Sequence, residues 1–148
     1  MTIRLVLVDN HVVLRQGLRA LLELEPDIDV VGEADNGRDA LDVVLETAPD
    51  VALIDLSMPE MGGISATQVF HRECPRTRVL ILASIDEVDT SAIVGAVRAG
   101  AIGVIRKNVR MGVSRARSGV ALEARCSFRR PRQGSSWTAF RRRPNQNV

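Results

Sequence analysis

The sequence predicts an α/β domain built on a parallel, doubly wound sheet. Five short runs rich in Val, Ile and Leu recur along the chain, and longer segments of helical period separate them. The runs are apolar almost throughout instead of alternating with polar residues, which suits strands covered by helices on both faces.

The runs are IRLVLVD at 3–9, DVVGEA at 29–34, VALID at 51–55, RVLILAS at 78–84 and IGVIR at 102–106. After the first, Leu14, Leu18, Leu21 and Leu22 form one helical stripe that stops at Glu25-Pro26, because proline disfavours helix in the residue before it. A second stripe uses Ala40, Val43, Val44 and Thr47; the turn-forming pair Asn36-Gly37 opens it and Pro49 closes it. A third uses Ile64, Thr67 and Phe70 and ends before Pro75. The fourth places Ile93, Val94 and Val97 toward the core and ends at Gly100, a helix-terminating glycine.

Right-handed crossovers distribute helices over both faces of such a sheet, so a fifth helix is needed to close the remaining face. Residues 109–125 are the candidates, with Val113, Ala116, Val120 and Ala124 on one stripe. They are a poor helix, since Gly112 and Gly119 each cost about 1 kcal/mol relative to Ala. Residues 126–148 mix Arg clusters with Pro and Gly-Ser-Ser and are expected to form a flexible basic tail.

Composition supports one domain of ordinary size. The chain has 148 residues, 45% of them hydrophobic and 26% charged, a globular balance. With three Phe, one Trp and no Tyr, its core must be aliphatic. No apolar run approaches the roughly 20 residues that span a bilayer, and the N-terminus lacks the pattern of a secretory signal, so a cytoplasmic protein is expected. Cys74 and Cys126 have neither zinc-site nor disulfide spacing. The net charge of +2 conceals a division: residues 1–108 hold ten basic and seventeen acidic side chains, whereas 109–148 hold ten Arg and only Glu123. The expected boundary is therefore at Asn108, with a domain over 1–108.

In a doubly wound sheet the site lies beyond the carboxyl ends of the strands, near the point where strand order reverses. Asp9-Asn10, Asp55, Ala83-Ser84 and Arg106-Lys107 fall at those ends. Two carboxylates, an amide and one ammonium at a common edge suit a divalent cation with a phosphoryl group, and oxygen donors favour Mg2+. Lys107 is the only lysine among twenty basic residues, and a compact ammonium is chemically distinct from the guanidinium used elsewhere. His11 reads as a surface residue at a helix start, and Asp9 could equally serve as a cap for that helix.

VLVDNHVVLRQGL at 6–18, ALIDLSMPEMGG at 52–63 and AVRAGAIGVIRK at 96–107 resemble the receiver domain of two-component response regulators, in particular the NarL/FixJ (LuxR-type) branch. Three motifs in the right order at the right strand ends make the resemblance specific, and it covers residues 3–108. It implies a flavodoxin-like (βα)5 fold with strand order 2-1-3-4-5 and a signalling module rather than an enzyme. It also implies that Asp55 accepts a phosphoryl group from a histidine kinase. Asp9, Asp55, the position of Asn10 and the backbone carbonyl of Ser57 would hold Mg2+, Lys107 would contact the phosphoryl oxygens, and Pro59 would shape the loop beneath the metal.

The chain departs from the family pattern at several positions. Asn10 replaces a second acid that ligates the metal, so weak or absent Mg2+ binding is expected. Ala83 replaces a Ser or Thr whose hydroxyl binds the phosphoryl group; Ser84 comes one residue later, where strand alternation aims it at the other face unless the loop has already begun. Gly62 stands where an Asp is usual, and Val104 where many receivers carry an aromatic switch residue. Nothing after Asn108 resembles the helix-turn-helix output domain of this branch, which suggests a frameshifted or remodelled end. Three readings follow: a phosphorylated receiver working through protein contacts, a homodimer included; a pseudo-receiver that binds partners without phosphorylation; and non-specific nucleic-acid contact through the Arg-rich tail with Trp137 and Phe140. Specific DNA recognition by this chain alone is not expected.

Overall fold

The computed structural model describes residues 2–87 and 89–107. The helix expected within 109–125 and the basic tail at 126–148 lie outside them. Five strands, β1 (Ile3–Val8), β2 (Ile28–Ala34), β3 (Val51–Asp55), β4 (Arg78–Ala83) and β5 (Gly103–Arg106), alternate with α1 (Val12–Leu22), α2 (Gly37–Thr47), α3 (Gly63–Glu73) and α4 (Thr90–Ala99). The strands form one sheet in the order β2-β1-β3-β4-β5, with every neighbouring pair parallel. This is the predicted fold class and strand order. Among the described residues, no helix is long and apolar enough to cross a membrane.

The pleat divides the core in two. Val6 and Val8 of β1, Ile54 of β3 and Ile81 of β4 point to one face, where they meet Val44 of α2 and Ala66 and Phe70 of α3. Leu5, Leu7, Leu53 and Leu82 point to the other and meet Leu22 and Leu18 of α1. Each such large apolar side chain contributes about 1.5–3 kcal/mol when fully buried, so the continuous apolar runs are what hold the strands between two layers.

The helix ends follow local chemistry. Asn36 caps α2 by accepting the Asp39 N–H at 2.9 Å, and Ala48, in the left-handed region at φ 44°, closes it just before Pro49. Asp89 caps α4 by accepting the Ala92 N–H at 2.7 Å, and Gly100 ends that helix at φ 105°, a conformation that favours glycine. Helix α1 stops at Leu22, before the predicted stop at Glu25-Pro26. Glu23, Leu24 and Glu25 continue as backbone turns onto Arg19, Leu21 and Leu22.

One expected packing face is corrected. Ile93, Val94 and Val97 of α4 do not face the core but lie exposed; the buried residues are Ala96 and Ala99. The close approach of α3 explains this, since a Cβ added at Gly95 would come 3.1 Å from Ile64 Cδ1. Only small side chains fit along that seam.

Candidate functional site

Strand order reverses between β1 and β3, and the register pairs Val8 with Ile54, so Asp9 and Asp55 emerge side by side at the carboxyl edge. Asp55 is the last residue of β3, and its neighbour Leu56 donates its N–H to the Leu82 carbonyl at 2.7 Å. Gly63 lets α3 start against this strand end: a Cβ there would lie 2.5 Å from the Asp55 carbonyl oxygen. On the far side of β4, the Lys107 N–H donates to the Ala83 carbonyl at 2.8 Å and anchors the lysine at the same edge.

The three predicted ionic residues meet. Lys107 Nζ lies 2.9 Å from Asp9 Oδ2 and 2.8 Å from Asp55 Oδ1. Both acids are 1% exposed. Burial pushes the Asp55 carboxyl above its ordinary value; Lys107 opposes that shift and the charge of Asp9 adds to it. For Lys107, burial works against the charged form, but the contacts with Asp55 and Asp9 outweigh it and the net direction is upward.

The other side of the pair belongs to His11. It occupies the N-cap position of α1 without capping it through its side chain, and its backbone N–H donates to Asp9 Oδ1 at 2.8 Å. Asp9 therefore orients the chain entering the helix instead of capping its interior N–H groups. The imidazole is 64% exposed, as expected for a surface residue, yet its Nδ1 reaches to 3.1 Å from Asp9 Oδ1 and 3.9 Å from Asp55 Oδ2. Arg15, one turn into α1, donates to the Asp9 carbonyl oxygen.

The end of β4 is organised by a residue that sequence reasoning missed. Glu87, in the short 3-10 turn Ile85–Glu87, accepts hydrogen bonds from the Ser57 hydroxyl with one oxygen and from the Ser84 hydroxyl and N–H with the other. These bonds, that from Ser57 foremost, hold its carboxyl down at about 2. The acidic pair Asp86-Glu87 just past the fourth apolar run was the available signal. Ala83 is fully buried, and Ser84 spends its hydroxyl on Glu87. Val104 is half-buried and packs on the α2–α4 side of the core. Gly62 is the N-cap of α3 and gives that helix no side-chain cap. Beneath the site, Met61 donates its N–H to the Pro59 carbonyl at 2.8 Å, while Glu60 holds φ 67°.

A doubly wound sheet with two buried carboxylates and one lysine at its switch point defines a class of phosphorelay input domains. Residues 5–117 match the response regulator receiver domain family, and the chain belongs to it. It is 39% identical over 105 residues to the transcriptional regulatory protein LiaR of Bacillus subtilis (strain 168), an alignment covering 71% of this chain and 49% of LiaR. It is 44% identical over 98 residues to YhcZ, a transcriptional regulatory protein of the same strain, covering 66% and 45% of the two chains. A two-component response regulator of the LuxR family from Aurantimonas sp. SI85-9A1 superposes with a TM-score of 0.69 at 34% identity, covering 74% of this chain and 77% of that one. The chain thus spans about half the length of the curated relatives it matches. It carries a receiver domain of two-component signalling.

Receiver domains bind Mg2+ at an acidic pocket, and the Asp9–Asp55 cluster forms such a pocket here. The oxygens suit a cation: Asp55 Oδ2 and Asn10 Oδ1 are buried and accept no hydrogen bond of normal geometry from described residues. The Ser57 N–H also faces the Asp55 carboxylate and draws its value down, against the upward push of burial. The charge suits Mg2+ less well. Two carboxylates share one ammonium, and Asn10 adds only a neutral amide.

Proposed function

We propose that this chain is an atypical receiver in which Asp55 is the phosphoacceptor but both phosphorylation and switching are impaired. In the reaction an Asp55 carboxylate oxygen attacks phosphorus while the bond from phosphorus to the donor's leaving group breaks, with a histidine kinase or a small acyl phosphate as donor. Lys107 would neutralise the incoming phosphoryl oxygens. Asp9, Asp55, Asn10 and the Ser57 carbonyl would form the cation side, with Mg2+ held weakly.

The observation that carries this reading is the state of the β4 end. Ala83 has no hydroxyl to offer a phosphoryl group, and the hydroxyls of Ser57 and Ser84 are engaged by Glu87. A phosphoryl oxygen would have to compete with an ionised carboxylate for those donors. The output proposed is contact with a protein partner, a second copy included, through the receiver surface. The engagement of both hydroxyls also favours a second reading, a pseudo-receiver that holds one conformation and binds its partner without phosphorylation. The test is intact-mass measurement after acetyl phosphate with Mg2+. An adduct is expected only in Asn10→Asp/Ala83→Thr, and not when Asp55→Asn is added. A stable adduct on the unmodified chain overturns the impaired site, and none on the restored chain favours the second reading.

A further inference from the structure

The carboxylate pair is divided between two bases. Lys107 Nζ takes Asp9 Oδ2 and Asp55 Oδ1, while the remaining oxygen of each acid, Asp9 Oδ1 and Asp55 Oδ2, is the one near His11 Nδ1. One donor atom from each of Asp9, His11 and Asp55 lies within 4.8 Å of the other two. Ligands bonded to one ion at ~2.1 Å stand ~3.0 Å apart when cis in an octahedron and ~3.4 Å apart in a tetrahedron. The separation of 3.1 Å between His11 Nδ1 and Asp9 Oδ1 already fits. The 3.9 Å to Asp55 Oδ2 needs a small ring rotation, which the exposed imidazole is free to make. An independent observation points to the same place: Asp55 Oδ2, in a side chain buried beside the imidazole, accepts no normal hydrogen bond from the described residues.

Charge and donor type then decide which ion belongs there. Mg2+ is a hard cation that favours an all-oxygen shell and carboxylate charge, and with a neutral amide at Asn10 only two acids supply that charge. An imidazole nitrogen favours later transition ions, whose affinity for nitrogen donors rises toward Ni2+, Cu2+ and Zn2+. Lys107 is no competitor, since it uses the opposite oxygens. We propose that this pocket takes an imidazole-accepting divalent transition ion in preference to Mg2+, with His11 Nδ1 as third protein donor beside Asp9 Oδ1 and Asp55 Oδ2. The inference rests on the receiver reading of the pocket but not on whether Asp55 becomes phosphorylated. With its outward Nε2 protonated, the ring presents the Nδ1 lone pair inward, while the His11 N–H continues to orient Asp9.

The test is titration of the full chain with Co2+ and with Mg2+ by calorimetry, with no phosphodonor present, and the visible spectrum of bound Co2+ reports its donors. One Co2+ site of nitrogen and oxygen donors is expected, at least ~100-fold tighter than Mg2+. His11→Ala should weaken Co2+ at least ~10-fold and leave Mg2+ within about twofold. His71→Ala, at an exposed histidine outside the pocket, should change neither. Unchanged Co2+ affinity in His11→Ala, Mg2+ binding as tight as Co2+, or a thiolate spectrum from Cys126 overturns the proposal. If His11→Ala does not fold, paramagnetic loss of the His11 imidazole NMR signal on adding Co2+ to the unmodified chain decides in its place, and its persistence is the contrary result. An acetyl phosphate adduct on the unmodified chain would refute the impaired-site reading without altering any of these outcomes.

Discussion

The carboxyl edge of the sheet has two corners built on different principles. At the β1–β3 corner, charges are fixed by strand ends: Asp9 and Asp55 are buried and share one ammonium from beyond β5. At the β4 corner, Ala83 removes a hydroxyl from the strand, and Glu87 reaches across to tie the β3–α3 loop to the β4–α4 loop through Ser57 and Ser84. The first corner is suited to chemistry and the second to staying where it is. On the proposed reading, acceptor geometry and switching are separable within one fold, because one depends on strand register and the other on which loop hydroxyls are free.

Breaking the ionic corner should have the largest effect. Lys107→Ala leaves two buried carboxylates without their cation and is expected to lower stability by about 3 kcal/mol at neutral pH, measured by urea unfolding. Adding Asp55→Asn should return part of the loss, a coupling that a double-mutant cycle reads. Additive losses would mean that the pair is not what holds the corner. The pH sign follows from the raised Lys107 value: its contribution is fully present below the unfolded lysine value of about 10.4 and is lost as pH climbs through the folded one.

Breaking the latch should have a smaller effect. Glu87→Gln is expected to cost about 1 kcal/mol near pH 7, less than its full shift implies because the group is partly in water. Its depressed value makes the contribution present above 4.5 and lost as pH falls toward about 2, so the gap between parent and variant should close over that window in acid unfolding. A gap independent of pH would show that the Glu87 charge is not the cause. The smallest effect tests the corrected face: Val97→Ser, at a side chain 57% exposed, should change stability by less than about 0.5 kcal/mol. A thermal-melt loss on the scale of a core substitution would restore the apolar stripe to the interior.

These differences also mark what the sequence could disclose. Strands were legible because burial on both faces leaves an almost unbroken apolar run, and Asp9, Asp55 and Lys107 were legible because strand ends are where such runs stop. The α4 face was misread because helical periodicity gives weight to large residues, whereas the contact with α3 is made by Ala96 and Ala99, whose small size is the requirement. Glu87 escaped because its role requires Ser57, thirty positions away, to arrive beside Ser84. His11 was read correctly as exposed, but its second contact needs Asp9 and Asp55 to converge, which a linear pattern does not reveal.

The lysine between the two acids has a practical meaning. Lys107 is the only lysine among the 148 residues, and its side chain is 12% exposed and pinned as an ammonium. Amine-directed reagents such as acylating esters thus have one internal address in this protein, at the heart of the acidic pocket. The rate at which that amine is modified becomes a clock for how often the ionic corner opens, readable without any knowledge of the partner.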